Sequence, residues 1–261
     1  MPDRGFDEYL DLIGVARLRP ATCPFDPGVA PVVLRSHLAQ SAHLMRGLKI
    51  SMACWLIAGQ DATREKLAAA RDAGVHTCTG GGPYEVAVAQ HRLTQFVELC
   101  AEVGFDGIEC GAGFTDPDVD PAAVVALAAA HGLDVEYELG RKDGGQIEAQ
   151  DVEGLVAEGR RWLDAGAYRL IVEARESAAG VGLFDAAGTL DKRLAQLVEV
   201  AAAADFPLWI IYQGLDYERN PLPVEHIAAE VREGVKLKAL PMTGETLLIP
   251  NAVAVVHRAP H

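Results

Sequence analysis

The segment Ile171-Val-Glu-Ala-Arg-Glu-Ser177 begins as an apolar, β-branched run and ends in three charged side chains, Glu173, Arg175 and Glu176. A buried strand that turns abruptly into charge reads as the carboxyl end of a parallel strand opening into a site. The pattern recurs upstream. One apolar run ends at Glu109, another ends at Glu138 with Lys142 just beyond, and Asp26 closes a third. Lys49 lies inside the otherwise apolar Leu48-Lys49-Ile50. Such a lysine points outward under a helix or inward toward a site; unpaired burial would depress its pKa and an acidic neighbour would restore it. Gly80-Gly81-Gly82 precedes Pro83-Tyr84-Glu85 at an expected helix start, where the amides of Gly80 and Gly81 can approach an anion. Several carboxylates with two lysines suit Mg²⁺ coordination and proton transfer beside a small anionic substrate. Each residue has a structural alternative: Glu85 as a first-turn helix acid, Arg175 with Glu176 as a rim ion pair. Convergence of Asp26, Lys49, Glu109, Glu138, Lys142, Glu173 and Arg175 on one end of a sheet favours a site.

The elements that would position these residues alternate along the chain. Strands are expected at 20–26, 46–52, 74–79, 105–110, 133–139, 167–173, 207–213 and 234–240. Amphipathic, alanine-rich helices are expected at 29–44, 61–73, 84–103, 121–131, 151–165, 189–204 and 223–233. The stretch from Tyr84 to Val103 has the helical period, with Val86, Leu93, Phe96, Val97, Leu99 and Cys100 as its apolar stripe. Gly74, Gly104, Gly132 and Gly166 stand where helix C-caps belong, and Asp61, Asp120 and Asp151 where N-caps belong. Repeated βαβ units imply a parallel sheet, and eight strands favour a single (β/α)8 TIM barrel over an open sheet. No linker divides the chain, so 1–261 reads as one domain, with 1–19 as a helical cover and 245–256 as an eighth helix or its irregular substitute.

Composition sets the outer limits. A formal charge of −14 argues against a nucleic-acid binder or an anionic-membrane binder, though a local cluster of Lys and Arg could still face an anion. No run approaches the length of a membrane span, and the start, Met-Pro-Asp-Arg-Gly-Phe-Asp-Glu, is too acidic for a secretory signal. Five scattered cysteines without C-x-x-C spacing read as reduced thiols of a cytoplasmic protein. The eight histidines show no ligand spacing, and only His76 falls within a strand. Association into a homo-oligomer stays open.

Four segments carry a resemblance to a known family. Tyr84-Glu85-Val86-Ala87, Gly104-Phe105-Asp106-Gly107-Ile108-Glu109, Glu138-Leu139-Gly140-Arg141-Lys142-Asp143 and Val172-Glu173-Ala174-Arg175-Glu176-Ser177 resemble phosphosulfolactate synthase, and Gly180-Val181-Gly182-Leu183-Phe184-Asp185 continues the likeness. The resemblance spans roughly residues 20–190 and is that of a divergent member, since the segments at strands two, seven and eight depart from the family pattern. It implies a (β/α)8 barrel that adds sulfite to phosphoenolpyruvate with Mg²⁺. It also implies Lys142, Lys49 and Glu138 as catalytic residues, with Lys142 the proton donor. Glu109, Glu138 and Glu173 would hold the metal or its water shell. Asp26, Gly80, Gly81, Arg175 and Glu176 would contact substrate. Two alternatives stand beside this: an enzyme on the same barrel acting on another enol or unsaturated carboxylate, and a non-catalytic binding or stress-related relative.

Overall fold

The computed structural model describes residues 8–9, 23–50, 53–113, 115, 118–141, 145–172, 180, 182, 185–186 and 208–210. Their elements run β1 (Phe25–Asp26), α1 (Pro31–Ser41), β2 (Gly47–Ile50), α2 (Cys54–Ile57), α3 (Gln60–Asp72), β3 (His76–Thr79), α4 (Gly81–Ala89), α5 (Leu93–Val103), β4 (Gly107–Gly111), α6 (Pro121–Ala130), β5 (Asp134–Leu139), α7 (Val152–Asp164), β6 (Arg169–Val172) and β7 (Leu208–Ile210). The seven strands pair in chain order, every pair parallel. The first seven expected strands are therefore present. The expected eighth strand, the helices at 189–204 and 223–233, and the segment 245–256 lie outside the described residues.

Period-two alternation divides each strand between two environments. Leu48 and Ile50 of β2, Ile108 and Cys110 of β4, Val135, Tyr137 and Leu139 of β5, and Leu170 of β6 join the main core beneath the helices. The intervening positions, Lys49, Glu109, Glu136, Glu138 and Arg169, are buried and charged. They meet because the sheet curls. The Arg169 guanidinium on β6 donates to Cys23 Sγ just before β1 at 3.3 Å, although four strands separate β1 from β6 in sheet order. The protein thus has a curled parallel α/β architecture with an apolar convex side and a charged concave side.

Helix ends follow sequence chemistry with three departures. The Asp120 side chain accepts from the Ala122 amide at 3.1 Å and Pro121 opens α6, as expected of an N-cap and its first turn. Gly104 closes α5 with φ of +108°, where a side chain would be strained. Asp61, however, lies within the first turn of α3, whose N-cap is Gly59. Asp151 stands at the N-cap of α7 as expected, but its carboxylate turns back to the Glu148 amide at 3.1 Å and caps the preceding 3-10 turn. The expected single helix over 84–103 is two. His91 takes φ of +54°, and the Arg92 amide reaches back to the Ala87 carbonyl at 2.7 Å, closing α4 in a Schellman-like turn. The polar Gln90-His91-Arg92 interrupts no apolar stripe, so periodicity ran through it. Val86, assigned to that stripe, is instead exposed, because α4 buries Tyr84, Glu85 and Ala87.

Candidate active site

Lys49, Glu109 and Glu138 form the heart of the concave face. Lys49 Nζ stands 2.5 Å from Glu109 Oε1, and both side chains are almost wholly buried. The same Glu109 oxygen accepts the Gly81 amide at 3.0 Å, so it caps the N-terminus of α4 as well. Burial pulls the Lys49 pKa down, but Glu109 and then Glu138 more than reverse this, and the value ends above the ordinary lysine range. Lys49 is a fixed ammonium at neutral pH. Two glycines permit the close packing: a Cβ at Gly81 would stand 3.4 Å from Glu109 Oε1, and one at Gly111 would stand 3.2 Å from the Glu138 Cβ.

The glycine run serves a different anion from the one the sequence suggests. The Gly81 amide is taken by Glu109, and the Gly80 amide donates to the Ile50 carbonyl at 3.2 Å. The anion at this helix start is the protein's own carboxylate. Asp26 is similarly engaged. Its Oδ1 accepts the Gly28 and Val29 amides at 2.7 and 2.8 Å, and its Oδ2 accepts Lys66 Nζ at 2.7 Å. Glu85 accepts the Gly113 amide at 3.1 Å and the Thr115 amide and hydroxyl at 2.7 and 2.9 Å. It is more than a first-turn acid, since it ties the segment after β4 to α4. Lys142, Glu173, Arg175 and Glu176 lie outside the described residues.

A second charged layer, which the sequence reading passed over, lies deeper on the same face. Glu136 is fully buried and accepts Arg169 Nε at 2.5 Å, the Tyr168 hydroxyl at 2.9 Å and the Cys78 thiol at 3.1 Å. Arg169 Nη2 also stands 2.5 Å from Glu136. The signal was present in Asp134-Val-Glu-Tyr-Glu, where acids recur with period two; such alternation usually marks a solvated face, and here the curl encloses it. Lys66 was missed for a related reason. It occupies the buried stripe Thr63, Lys66, Leu67, Ala70 of α3 at helical spacing, where a lysine is normally read as solvent-facing.

A cleft of about 500 Å³ lies on the opposite, convex side of β5, between α7 and the segment Asp118–Val119 that leads into α6. Its floor is Tyr137 stacked on Trp162, with ring centroids 4.3 Å apart. Its acid, Glu158, accepts Trp162 Nε1 at 3.0 Å and Arg161 at 2.7 Å. This cleft does not share the concave face that holds Lys49, Glu109 and Glu138. Among the described residues no helix is long and apolar enough to cross a membrane.

Comparison with known proteins bears on the family and the fold. The family model for (2R)-phospho-3-sulfolactate synthase matches residues 16–209. The phosphosulfolactate synthase of Methanocaldococcus jannaschii is 26% identical over 171 residues, covering 65% of this chain and 68% of that protein. That of Methanothermobacter thermautotrophicus is 23% identical over 237 residues, covering 85% and 92%. Among solved structures, dihydropteroate synthase from Thermus thermophilus aligns with a TM-score of 0.56 at 17% identity, covering 92% of this chain and 93% of the other. The 3-keto-L-gulonate-6-phosphate decarboxylase from Vibrio cholerae aligns with a TM-score of 0.53 at 13% identity, covering 94% and 100%. At such identities the structural likeness shows the fold alone, which is TIM-barrel-like.

Proposed function

The chain belongs to the (2R)-phospho-3-sulfolactate synthase family, and from that premise we propose that it is a Mg²⁺-dependent lyase that adds sulfite to phosphoenolpyruvate. The observation that best supports this is the buried Lys49 ammonium held between Glu109 and Glu138 on the concave face. Two carboxylates against one ammonium leave that cluster net negative, and a divalent cation there would need a further oxygen ligand, because the described residues alone hold no group of three candidate ligands. Glu138, with Glu109 and Glu173, would hold the ion or its water shell. When bound, Mg²⁺ would supply positive charge beside the substrate carboxylate.

The sulfite sulfur donates its lone pair to the methylene carbon, forming the C–S bond. The C=C electron pair moves onto the adjacent carbon and its carboxylate, and one proton completes that carbon. Lys142 is the proton donor in this reading. Lys49, unable to release its proton near neutrality, contributes a fixed positive charge and keeps Glu109 in place. Arg175 would grip an oxyanion through its planar fork, with Glu176 orienting it. The same reading takes 234–240 as the strand that closes a (β/α)8 barrel and the whole chain as one cytoplasmic domain.

Incubation with Mg²⁺, sulfite and phosphoenolpyruvate should yield a sulfonate detectable by mass spectrometry. Absence of product at high enzyme concentration would sink this substrate pair and favour another enol or unsaturated carboxylate on the same scaffold. Lys142→Ala should lower product formation at least about 100-fold, the contribution expected of a positioned acid. Full activity in that variant would remove Lys142 from the role.

A backbone prediction arises from the Glu109 cap. Gly81→Val should weaken the site without removing any charged group. Its branched side chain would press on Glu109 Oε1, already 3.4 Å from a bare Cβ. The expected result is a loss of about 1–3 kcal/mol in stability from overpacking, measured by chemical denaturation, with lower activity. An unchanged midpoint would show that this approach is looser than it looks.

A further inference from the structure

We propose that Lys66 is a positioning residue whose ammonium, acting through Asp26, sets the turn that carries β1 into α1 at the mouth of the site. The Asp26 carboxylate is wholly buried, and its contacts divide cleanly. One oxygen accepts the Gly28 and Val29 amides and the other accepts Lys66 Nζ. Lys66 itself is 6% exposed and occupies a position in the buried stripe of α3 that an apolar residue could fill.

Stability does not explain the choice, because a buried ion pair is commonly no better than well-packed apolar residues of similar volume. What the pair adds is direction. Gly28 takes φ of +108°, and a Cβ there would stand 3.5 Å from the Cys54 Cβ at the start of α2. The same face of α3 holds α2 from the other side, through the Thr63 hydroxyl donating to the Trp55 carbonyl at 3.3 Å. One helix face, through Thr63 and Lys66, therefore organises the two loops that follow β1 and β2. Asp26 is thereby a structural partner of Lys66 in the turn, and the substrate meets the backbone that this turn presents.

A charge-neutral double variant tests this. Lys66→Met leaves a buried carboxylate without its cation, and Asp26→Asn leaves a buried ammonium facing an amide. Combining the two substitutions removes both buried charges, and the asparagine side-chain oxygen can still accept the two turn amides. Amide hydrogen exchange at Gly28 and Val29 should speed up about 100-fold or more in each single variant and return toward the parent rate in the double variant. The KM for phosphoenolpyruvate, or its Kd where no turnover is found, should rise about tenfold in each single variant and recover to within about threefold in the double. Parent-like exchange in Lys66→Met would overturn the proposal. So would recovered exchange with phosphoenolpyruvate affinity still lost, which would mean that the Asp26 carboxylate itself touches the ligand. The ligand measurement rests on the proposed substrate; the exchange measurement does not, so a protein that ignores phosphoenolpyruvate is judged on exchange alone.

Discussion

Lys49→Met is expected to lower sulfonate formation by about 10²–10³-fold and the melting temperature by about 10 °C. The two losses have different origins. Removing one preorganised charged donor at a reaction centre costs about 10²–10³ in rate. Removing the cation from a buried pair costs about 3–5 kcal/mol, because the carboxylate stays behind without compensation, and in a chain of this size that is about 10 °C. Glu109 keeps the Gly81 amide at 3.0 Å, which offsets part of the loss but supplies no full charge.

The pH dependence identifies the cause. In the parent, the Lys49 pKa is raised above the ordinary value of about 10.5. Its contribution to stability is complete below that value and fades only as pH climbs through the higher folded value. No alkaline limb from Lys49 should therefore appear between pH 6 and about pH 9 in melting or in rate. In Lys49→Met the orphaned carboxylates take up protons more readily when folded than when unfolded. The deficit should be largest near pH 8 and shrink toward pH 5. A deficit independent of pH would point to lost packing, and would remove the buried charge pair from the explanation.

The sheet was legible because its strands are short apolar runs punctuated by glycine, and the mouth was legible because Lys49 and Glu109 break those runs with charge. A single ionised residue in a β-branched stretch has few places to go, and both entered the concave face as their types required. Lys66, Glu136 and Arg169 were hidden for the converse reason. Lysine in an amphipathic helix and acids alternating along a strand look like solvated faces, and only the curl of the sheet turns them into an interior. That curl depends on contacts such as Arg169 with Cys23, 146 positions apart, which no local window carries. The break at His91 was hidden because both flanking helices keep a plausible phase. The glycine run suggests an anion cradle, but the carboxylate it meets among the described residues is Glu109, through the Gly81 amide alone. Nothing local distinguishes a carboxylate delivered by β4 from one delivered by a ligand.

The deeper layer leads to the second large effect. Arg169→Met should lower the melting temperature by about 10 °C, and Arg169→Lys by about half as much. Glu136 is fully buried and receives Arg169 Nε and Nη2, each at 2.5 Å. Both nitrogens converge on one oxygen, Oε2, an arrangement that the planar guanidinium can make and a single ammonium cannot. Methionine fills similar volume but leaves Glu136 with the Tyr168 hydroxyl and the Cys78 thiol, neither of which carries a positive charge. The expected cost is about 3–5 kcal/mol. Lysine restores the charge but as a single point, losing one prong and the donation from Nη1 to Cys23. The ordering of parent, Lys and Met distinguishes charge from shape. If Met and Lys melt together well below the parent, the fork geometry matters and the charge does not. If Lys matches the parent, charge alone suffices. Because Arg169 joins β5 to β6 and reaches across to the residues before β1, loss of the fork should also loosen the curl that brings Lys49 and Glu138 together. Product formation in Arg169→Met should then fall even at temperatures where the variant remains folded by circular dichroism, although Arg169 lies a layer below the proposed chemistry.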